Sequence, residues 1–452
     1  MHRLLLLMTT TTYRAGAFLE AASRLGVPVV VGSDHPQVLA AANPGGNLAV
    51  NFLVPEDGTR TIVEFAKEYP IRAVLAADDD GVILAAMASA ALGLPHNAAE
   101  AVSAARNKHR MRELLAEAGI PSPAFRRVAI DENPEVIARN VTYPCVLKPL
   151  CLSGSRGVIR ADDPAEFAAA FTRVVAILRR PEVAAQAGQL AEWILIEDFV
   201  PGAEVAVEGL VSDGSLRVLT IFDKPDPLDG PFFEETIYVT PSRLSMATQE
   251  RIFACTADAL KALGLQNGPV HAELRVNERG AWIIEIAPRS IGGLCSRTLR
   301  FGDGVSLEEL ILRHALGLQV ESFERERHAA GVMMIPIPRA GILREVRGRE
   351  EAEQVPGVEE IRLTIPPGQE LVPVPDGTRY LGFIFARGET PERVEASLRE
   401  AHRRLIVFIT PPGDIPTDAH SLSSAEVEGA ALAEGKRTRH RPALLAGGSR
   451  RS

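Results

Sequence analysis

The chain has 452 residues, of which 46% are hydrophobic, and it carries a formal net charge of −9 at pH 7. At roughly 150 residues per domain, this length predicts about three folded domains, and the apolar fraction argues against wholesale disorder. An acidic chain without a basic stripe is a poor candidate for binding nucleic acid or a membrane surface. Small-molecule chemistry is therefore favoured.

The cysteines and the apolar N-terminal segment are the sequence features that predict the cellular compartment of the protein. Cys145, Cys151, Cys255 and Cys295 form no C-x-x-C pair and lack metal-ligand spacing, which is typical of reduced thiols in a cytoplasmic protein. The segment Leu4–Met8 is too short for a signal peptide and has no cleavage site after it, so a buried first strand is favoured. No apolar run approaches the length needed to cross a bilayer.

The first hundred residues alternate between strand and helix. In chain order we predict strand Leu4–Met8, helix Ala15–Leu25, strand Val27–Val31, helix Thr61–Tyr69, strand Ala73–Ala76 and helix Val82–Leu92. This alternation predicts a parallel sheet covered on both faces, whose ligands lie at the carboxyl ends of the strands. The loops there, Thr9–Arg14 and Asp78–Asp80, carry no G-x-G-x-x-G, which disfavours a dinucleotide site.

Two further units follow, separated near Glu321. The elements predicted in the first are helix Lys108–Ala118, strands Tyr143–Lys148 and Val158–Arg160, helix Pro164–Arg179, strands Trp193–Glu197 and Ala203–Val211, a hairpin over 269–289 and helix Ser306–Leu316. Those predicted in the second are strands Gly331–Ile337, Glu359–Leu363 and Tyr380–Ala386 and helix Glu392–Leu405. The predicted domains are therefore residues 1–103 (parallel α/β), 104–325 and 326–412 (a small α+β domain), followed by a disordered tail at 413–452.

A lysine inside an apolar strand gives the first sign of chemistry. Lys148 ends the run Cys145-Val146-Leu147-Lys148, and a buried lysine usually needs an anion. The loop Ser153–Gly157 follows, and its small residues let backbone N–H groups converge on a phosphate. The loop lacks the G-K-[ST] ending of a Walker A motif. A flexible hairpin with a solvent-reaching lysine explains these residues equally well.

The second candidate segment runs from Glu197 to Glu204. Glu197 ends a strand and Pro201-Gly202 forces a turn, so we expect the backbone of residues 198–200 to be unpaired and free to bind the edge of an adenine. A carboxylate at Glu204 would suit a ribose diol. A half-exposed strand is the simpler interpretation of this segment taken alone.

The third segment is the hairpin over 269–289. A three-residue turn at 278–280, with its glycine in the left-handed position, pairs Glu273 directly with Glu285. Like charges that face each other destabilise a sheet unless a cation lies between them, and carboxylate oxygens beside a phosphate site suit Mg²⁺. Arg289, four residues beyond Glu285 on the same strand face, could reach the charge of a transferred phosphate. An exposed, charge-laced hairpin is disfavoured by the isoleucines around Glu285.

In this order, the segments resemble the ATP-grasp superfamily over roughly residues 1–410. The resemblance implies a two-lobed ATP-grasp domain at 104–325, with ATP and Mg²⁺ or Mn²⁺ as cofactors. The nucleotide-binding residues it implies are Lys108, Lys148, Ser153, Gly154, Ser155, Gly157, Glu197, Asp198, Phe199, Val200 and Glu204. It implies that Glu273 and Glu285 bind metal and that Arg289 and Lys148 are catalytic. Ala287 departs from the family's common E-x-N-P-R pattern, in which asparagine is a third metal ligand.

Further residues indicate which branch of the ATP-grasp superfamily the chain resembles. Ser290–Gly293 replaces the Q-V-E-H run of biotin carboxylases, and Thr9–Arg14 does not match the glycine-rich opening of phosphoribosylglycinamide synthetases. The D-Ala–D-Ala ligases lack a unit like residues 326–410, which is similar to the terminal domain of L-amino-acid ligases. The segment Phe222–Ser242 resembles their active-site covering loop. Asp78–Asp80 either binds a substrate ammonium group or forms a solvated turn.

The resulting hypothesis is a carboxylate–amine ligase that acts on small amino-acid substrates through an acyl phosphate and releases ADP and phosphate. Two alternatives stay open, namely a purine-pathway or carboxylase-like ATP-grasp ligase and an ATP-binding protein without catalysis. The sequence does not name the carboxylate or the amine. It does not fix the oligomeric state, for which a homodimer is one option.

Overall fold

The computed structural model describes residues 3–10, 12, 14–36 and 45–411. The predicted tail at 413–452, together with Thr11 and Tyr13 of the first loop, lies outside these residues. Across the described part of the chain, no helix is both long and apolar enough to span a membrane.

The N-terminal region is the predicted parallel α/β unit. Its elements are β1 (Arg3–Leu7), α1 (Ala15–Arg24), β2 (Val29–Ser33), β3 (Asn47–Ala49), α2 (Pro55–Glu68), β4 (Ile71–Ala76), α3 (Val82–Ala91) and α4 (Ala99–Arg106). The sheet order is β3-β2-β1-β4 and all neighbours are parallel. Leu4 and Leu6 pack into one apolar cluster and Leu5 and Leu7 into another, so β1 is buried on both faces.

A small lobe follows the next helix. The elements are α5 (Lys108–Glu117), β5 (Phe125–Ala129), α6 (Pro134–Ala138), β6 (Cys145–Pro149), β7 (Ile159–Ala161), α7 (Pro164–Leu178), α8 (Pro181–Ala187) and β8 (Trp193–Asp198). The four strands form an antiparallel sheet in the order β5-β8-β6-β7. We call residues 125–198 the small lobe, because this sheet and α7 enclose a hydrophobic core of their own.

The rest of the chain builds a large antiparallel sheet and a smaller one. The elements are β9 (Ala203–Ser212), β10 (Ser215–Lys224), β11 (Ile237–Thr240), α9 (Met246–Leu263), β12 (Gly268–Asn277), β13 (Gly280–Ala287), β14 (Arg300–Phe301), β15 (Val305–Ser306), α10 (Leu307–Ala315), β16 (Ala329–Ile335), β17 (Gly341–Arg347), α11 (Arg349–Glu353), β18 (Val358–Leu363), β19 (Glu370–Leu371), β20 (Gly382–Gly388), α12 (Pro391–Arg404) and β21 (Ile406–Thr410). The large sheet has the order β13-β12-β9-β10-β11-β16-β20-β18. Strands on both sides of the predicted boundary at 326 therefore share one sheet. The smaller sheet has the order β19-β17-β21.

The β12–β13 hairpin has a different turn from the one predicted, but it pairs the same two glutamates. The turn contains two residues and not three, because Asn277 pairs with Gly280. A register shift between Glu273 and Leu274 follows, with Ile284 as the extra residue on β13. This bulge offsets the shorter turn, so Glu273 faces Glu285 as predicted. Because a β-bulge shifts the register by one residue, the observed two-residue turn with a bulge gives the same pairing as the predicted three-residue turn.

Two other predictions of local structure are wrong. The segment Phe222–Ser242 is not a single loop, because β10 runs to Lys224 and β11 covers Ile237–Thr240. The covering loop is therefore limited to residues 225–236. Arg289 does not share a strand face with Glu285, since β13 ends at Ala287.

Gly202, which precedes β9, makes a testable contribution to the fold. Its φ is +128°, and a Cβ atom there would overlap the main-chain carbonyl of Val276. We expect Gly202→Ala to lower the free energy of unfolding by about 2–3 kcal/mol, because backbone strain and overlap add. Gly264→Ala is the control: its φ of +75° and ψ of +23° are left-handed helical, and the nearest atom to an added Cβ would lie at an ordinary 3.6 Å, so it should cost only about 1 kcal/mol. Equal losses in urea unfolding would contradict the overlap.

Candidate active site

A cavity between the small lobe and the large sheet brings together most of the predicted nucleotide residues. Its free volume is about 70 Å³, which is less than small-molecule sites usually offer, so the lining side chains must move apart for a nucleotide to enter. The predicted residues that line it are Lys108, Lys148, Ser155, Glu197, Asp198, Phe199, Val200, Glu204, Glu273 and Glu285. Ser153, Gly154 and Arg289 line an adjoining cavity instead, and Gly157 lines neither. We call these the nucleotide cavity and the second cavity.

Glu197 is the buried anion that Lys148 requires. The Lys148 Nζ lies 2.7 Å from Glu197 Oε2, and the Nε of Arg112 donates to Glu197 Oε1 at 2.7 Å. The side chains of Arg112 and Glu197 are 0% and 1% exposed. Burial raises the pKa of the Glu197 carboxyl, but the charges of Arg112 and Lys148 outweigh burial and hold it below its usual value. Arg112 also donates to the carbonyl of Ile284 at 2.6 Å, the extra residue of the hairpin bulge.

The backbone of residues 198–200 is more fully bonded than predicted. The Asp198 N–H donates to the carbonyl of Ala124 at 2.9 Å, and the Phe199 N–H donates to that of Pro144 at 3.0 Å. The carbonyl of Val200 accepts a hydrogen bond from Arg275 at 3.0 Å. The expectation of unpaired backbone is therefore wrong for these three groups, because neighbouring loops extend the pairing past the end of β8.

The loop Ser153–Gly157 depends on left-handed backbone, as a small-residue turn should. Gly154, Ser155 and Gly157 have φ values of +62°, +56° and +73°. A Cβ atom on Gly157 would lie 2.7 Å from Pro149 Cγ, so only glycine fits there. Just before the loop, the ammonium group of Lys108 donates to the carbonyl of Leu152 at 2.7 Å. These contacts hold the loop between the nucleotide cavity and the second cavity.

Opposite charges alternate across β10, β9 and β12. Glu204 lies across from Lys224 on one side and from Arg275 on the other. Its two carboxylate oxygens contact Lys224 Nζ at 2.9 Å and Arg275 Nε at 3.0 Å. Both oxygens of the predicted ribose ligand thus already have charged partners.

The predicted metal carboxylates face each other, and each also has a lysine. Glu285 lies 3.0 Å from Lys108, and Glu273 lies 3.5 Å from Lys224. Oxygens of Glu204, Glu235 and Glu273 all lie within 4.8 Å of one another, and Lys224 also contacts Glu235. Burial and the charge of Glu273 raise the pKa of Glu235 to about 7. The carboxylate oxygens of Glu204, Glu235 and Glu273 are of the kind that binds a hard cation such as Mg²⁺.

A buried histidine adjoins this carboxylate cluster. The two ring nitrogens of His271 lie 3.1 Å from Glu208 and 3.4 Å from Glu273. Burial lowers the pKa of His271, but the two carboxylates outweigh burial and raise it to about 9. Glu208 also accepts from the main-chain N–H of Ile291 at 3.0 Å. His271 therefore fixes the orientation of Glu273 from behind.

The second cavity lies beside this wall. Arg289 lines it and pairs with Asp79 at 2.8 Å, and Arg106 lies 3.4 Å from the same carboxylate. Burial raises the pKa of Asp79, but the two arginines outweigh burial and hold it well below its usual range. Asp80 accepts from Gln186 at 2.6 Å. Asp78 keeps one buried carboxylate oxygen without a hydrogen-bond partner in the described part of the chain.

Several charged residues of the site were not predicted from the sequence. They are Arg112, Glu208, Lys224, Glu235, His271 and Arg275. Lys224 ends an apolar strand just as Lys148 does, so the same reasoning could have identified it. Arg275, Glu273 and His271 alternate along β12 and so share one face. Arg112 gave no such signal, because arginine is common on exposed helix faces.

Known families match three successive stretches of the chain. They are the ATP-grasp N-terminal domain at residues 19–96, the ATP-grasp domain at 141–298 and the L-amino acid ligase C-terminal domain 2 at 333–410. The crystal structure of L-amino acid ligase from Bacillus licheniformis matches with a TM-score of 0.76 and 26% identity, over 90% of this chain and 99% of that one.

Two relatives extend this likeness to the sequence. The chain is 28% identical over 380 residues to dapdiamide A synthase of Enterobacter agglomerans, covering 81% of this chain and 87% of that protein. It is 28% identical over 270 residues to alanine–anticapsin ligase of Bacillus amyloliquefaciens, covering 57% of this chain and 56% of that protein.

With the two-lobed fold and the lysine- and carboxylate-lined cavity, these matches define an ATP-grasp enzyme that forms carbon–nitrogen bonds. The chain belongs to the ATP-grasp superfamily, and its C-terminal region is the terminal domain found in L-amino acid ligases. The family expected from the motifs is therefore confirmed.

The buried Glu197 triad makes a prediction about stability and pH. Glu197→Gln leaves Arg112 and Lys148 without a buried counter-charge, and we expect the free energy of unfolding at pH 7 to fall by about 3–5 kcal/mol. Because the folded-state pKa of Glu197 is depressed, its contribution is present above the unfolded value of about 4.3 and is lost as pH falls further. The gap between the variant and the wild type should shrink on that side.

The control for this test is Glu113→Gln on α5, the helix that carries Arg112. Glu113 pairs at the surface with Arg110 at 2.9 Å, and such pairs contribute about 0–1 kcal/mol. Urea unfolding of the three proteins at pH 7 and at acidic pH provides the measurement. A Glu197→Gln variant as stable as Glu113→Gln at pH 7 would rule out the triad as a structural element.

Proposed function

We propose that the protein is an ATP-dependent carboxylate–amine ligase that joins amino-acid substrates through an acyl phosphate and releases ADP and phosphate. The observation that carries this proposal is the wall shared by two cavities, which Leu152, Glu235, Glu273 and Glu285 line from both sides. The nucleotide cavity contains Lys108 and Lys148, and the second cavity contains Arg289. A phosphoryl group held at the wall would meet a carboxylate that enters from the second cavity.

The nucleotide binds through groups that already converge. Lys108, Lys148 and the N–H groups of Ser153, Gly154 and Ser155 contact phosphate oxygens, since ammonium and amide donors suit that anion. The N–H of Val200, which has no hydrogen-bond partner in the described structure, binds the adenine edge. Glu204 binds the ribose through one carboxylate oxygen, while Lys224 and Arg275 hold its side chain in place.

A divalent cation fits the facing carboxylates of Glu273 and Glu285. When bound, Mg²⁺ or Mn²⁺ would neutralise charge on the transferred phosphoryl group. In this structure Lys108 contacts Glu285 and Lys224 contacts Glu273. Both ammonium groups must therefore move partly away from these carboxylates when the nucleotide and the cation bind. His271 holds Glu273 from the opposite side throughout.

The reaction follows from the order of the two cavities. A carboxylate oxygen attacks the γ-phosphorus, the new P–O bond forms, the bond to the β-bridging oxygen breaks, and ADP leaves. The amine nitrogen then attacks the acyl carbon, the C–N bond forms, and phosphate leaves with the acyl oxygen while the amine loses a proton to solvent or phosphate. Arg289, once drawn from Asp79, stabilises the charge on the acyl phosphate.

Amino-acid substrates are supported by the second cavity and by the family. Asp78 lines the second cavity and retains a carboxylate oxygen without a hydrogen-bond partner among the described residues. It is the member of the aspartate triplet that we assign to the substrate ammonium group. Asp79 is excluded from that task by its pair with Arg289. Two relatives are named as an alanine–anticapsin ligase and a dapdiamide synthase, and the C-terminal domain is that of L-amino acid ligases.

The products and the substrate requirement test this function together. We expect release of ADP and phosphate only when a carboxylate donor and an amine acceptor are both present, because transfer of the γ-phosphoryl group requires the first and turnover requires the second. The measurement is phosphate release across the twenty amino acids, alone and in pairs, with ATP alone as the control. AMP and pyrophosphate as products would contradict the proposal. Release with phosphoribosylamine, or with bicarbonate and biotin, would move the protein to another ATP-grasp branch.

The metal assignment predicts the behaviour of the two hairpin carboxylates. Glu273→Gln and Glu285→Gln should each raise the Mg²⁺ concentration for half-maximal activity by at least about 10- to 100-fold, because each removes a charged oxygen ligand. The fold should survive, since the Glu285 side chain is 34% exposed and Lys224 keeps its pairs with Glu204 and Glu235 when Glu273 is replaced. Glu278→Gln, in the exposed hairpin turn, is the matched control. Normal activity and Mg²⁺ dependence in Glu285→Gln would refute the role of that residue.

A further inference from the structure

The loop Ser153–Gly157 is held by a segment that lies more than two hundred residues further along the chain. The Gly157 N–H donates to the carbonyl of Pro375 at 2.9 Å, and Arg156 Nε donates to that of Asp376 at 3.2 Å. We call residues 373–378 the clasp segment. Two consecutive loop residues are thus fastened by its main chain.

The side chain of Asp376 extends this contact to the helices of the small lobe. Arg173, on α7, reaches one carboxylate oxygen with two nitrogens at 2.5 and 3.1 Å. Arg180, the residue before α8, reaches the other oxygen at 2.5 Å and the Asp376 carbonyl at 3.2 Å. Arginine and carboxylate bonds of this kind fix orientation as well as adding attraction. Three arginines of the small lobe therefore converge on a single residue of the C-terminal region.

The clasp segment connects the small lobe to the C-terminal region beside the two cavities. The small lobe has its own hydrophobic core, and the clasp segment belongs to the region whose strands complete the large sheet. Asp376 therefore joins two separately packed bodies at the point where the loop lies. Thr378, two residues further on, lines the second cavity together with Ser153 and Gly154.

We propose that Asp376 is a positioning residue that clasps the small lobe and the loop Ser153–Gly157 shut over the nucleotide and the acyl phosphate. The proposal rests on the function proposed above and adds a role for the C-terminal region in it. While the clasp is closed, the acyl phosphate meets the amine and not water. Nucleotide exchange requires the arginines to leave Asp376.

The test compares Asp376→Asn with wild type in the full-length chain. The substitution keeps the size and the main-chain carbonyl but removes the charge that Arg173 and Arg180 share. Because the pairs are partly exposed, we expect a moderate shift of the closed state, seen as a roughly tenfold weaker Kd for ADP with Mg²⁺ by calorimetry. The ratio of ADP formed to amide formed should rise above one. Added salt should weaken ADP binding to wild type by a larger factor than binding to the variant, because only wild type has the clasp pairs to be screened.

Two further variants make the result specific. Arg173→Lys keeps the charge but loses the two-nitrogen contact, so it should shift the Kd and the ratio in the same direction by less. Glu360→Gln removes the pair with Arg297, whose side chains are 36% and 37% exposed, and both quantities should match wild type. Wild-type ADP affinity and ratio in both clasp variants would overturn the proposal, as would equal changes in Glu360→Gln. The ADP affinity decides the matter even if no amide forms with any tested pair, an outcome that would reject only the proposed ligase substrates.

Discussion

The site depends first on the ion pairs that Glu197 makes in the interior. A carboxylate this deeply buried stays charged only because Arg112 and Lys148 each lie 2.7 Å from it, and none of the three could be buried alone without a large desolvation cost. The triad joins α5, β6 and β8, and Arg112 reaches on to the bulged Ile284 of the hairpin. One guanidinium group thus contacts both the carboxylate that holds Lys148 and the bulge that sets Glu273 opposite Glu285.

Around that triad, the large sheet balances its charges strand by strand. Glu204 lies between Lys224 and Arg275, and Glu273 lies between Lys224 and His271. A sheet that places carboxylates opposite one another needs such counter-charges when no ligand is bound. The arrangement is also suited to exchange, because a cation or a phosphate can replace a lysine contact without leaving a bare charge. Preorganisation of this kind is how electrostatic catalysis avoids reorganisation during the reaction.

The C-terminal region is part of this machinery and not an appendage to it. Its strand β16 pairs with β11 and extends the sheet that carries the site, and its residues 373–378 hold the loop beside the nucleotide cavity. A domain boundary read from a change in sequence pattern cannot reveal this, since pairing between strands leaves no local mark. In this chain, the terminal domain therefore places a structural element directly against the loop Ser153–Gly157.

The sequence by itself determined the strand–helix alternation of the N-terminal region, its parallel sheet, the strand-borne Lys148 and the facing of Glu273 with Glu285, because burial and side-chain alternation are written locally. The last of these came out right although the turn was wrong, since a bulge restored the register. Only the tertiary structure decided which partner each charge has. Lys108 meets Glu285 across 177 positions and Arg289 meets Asp79 across 210, and the folded chain brings such residues together through packing that no local pattern encodes.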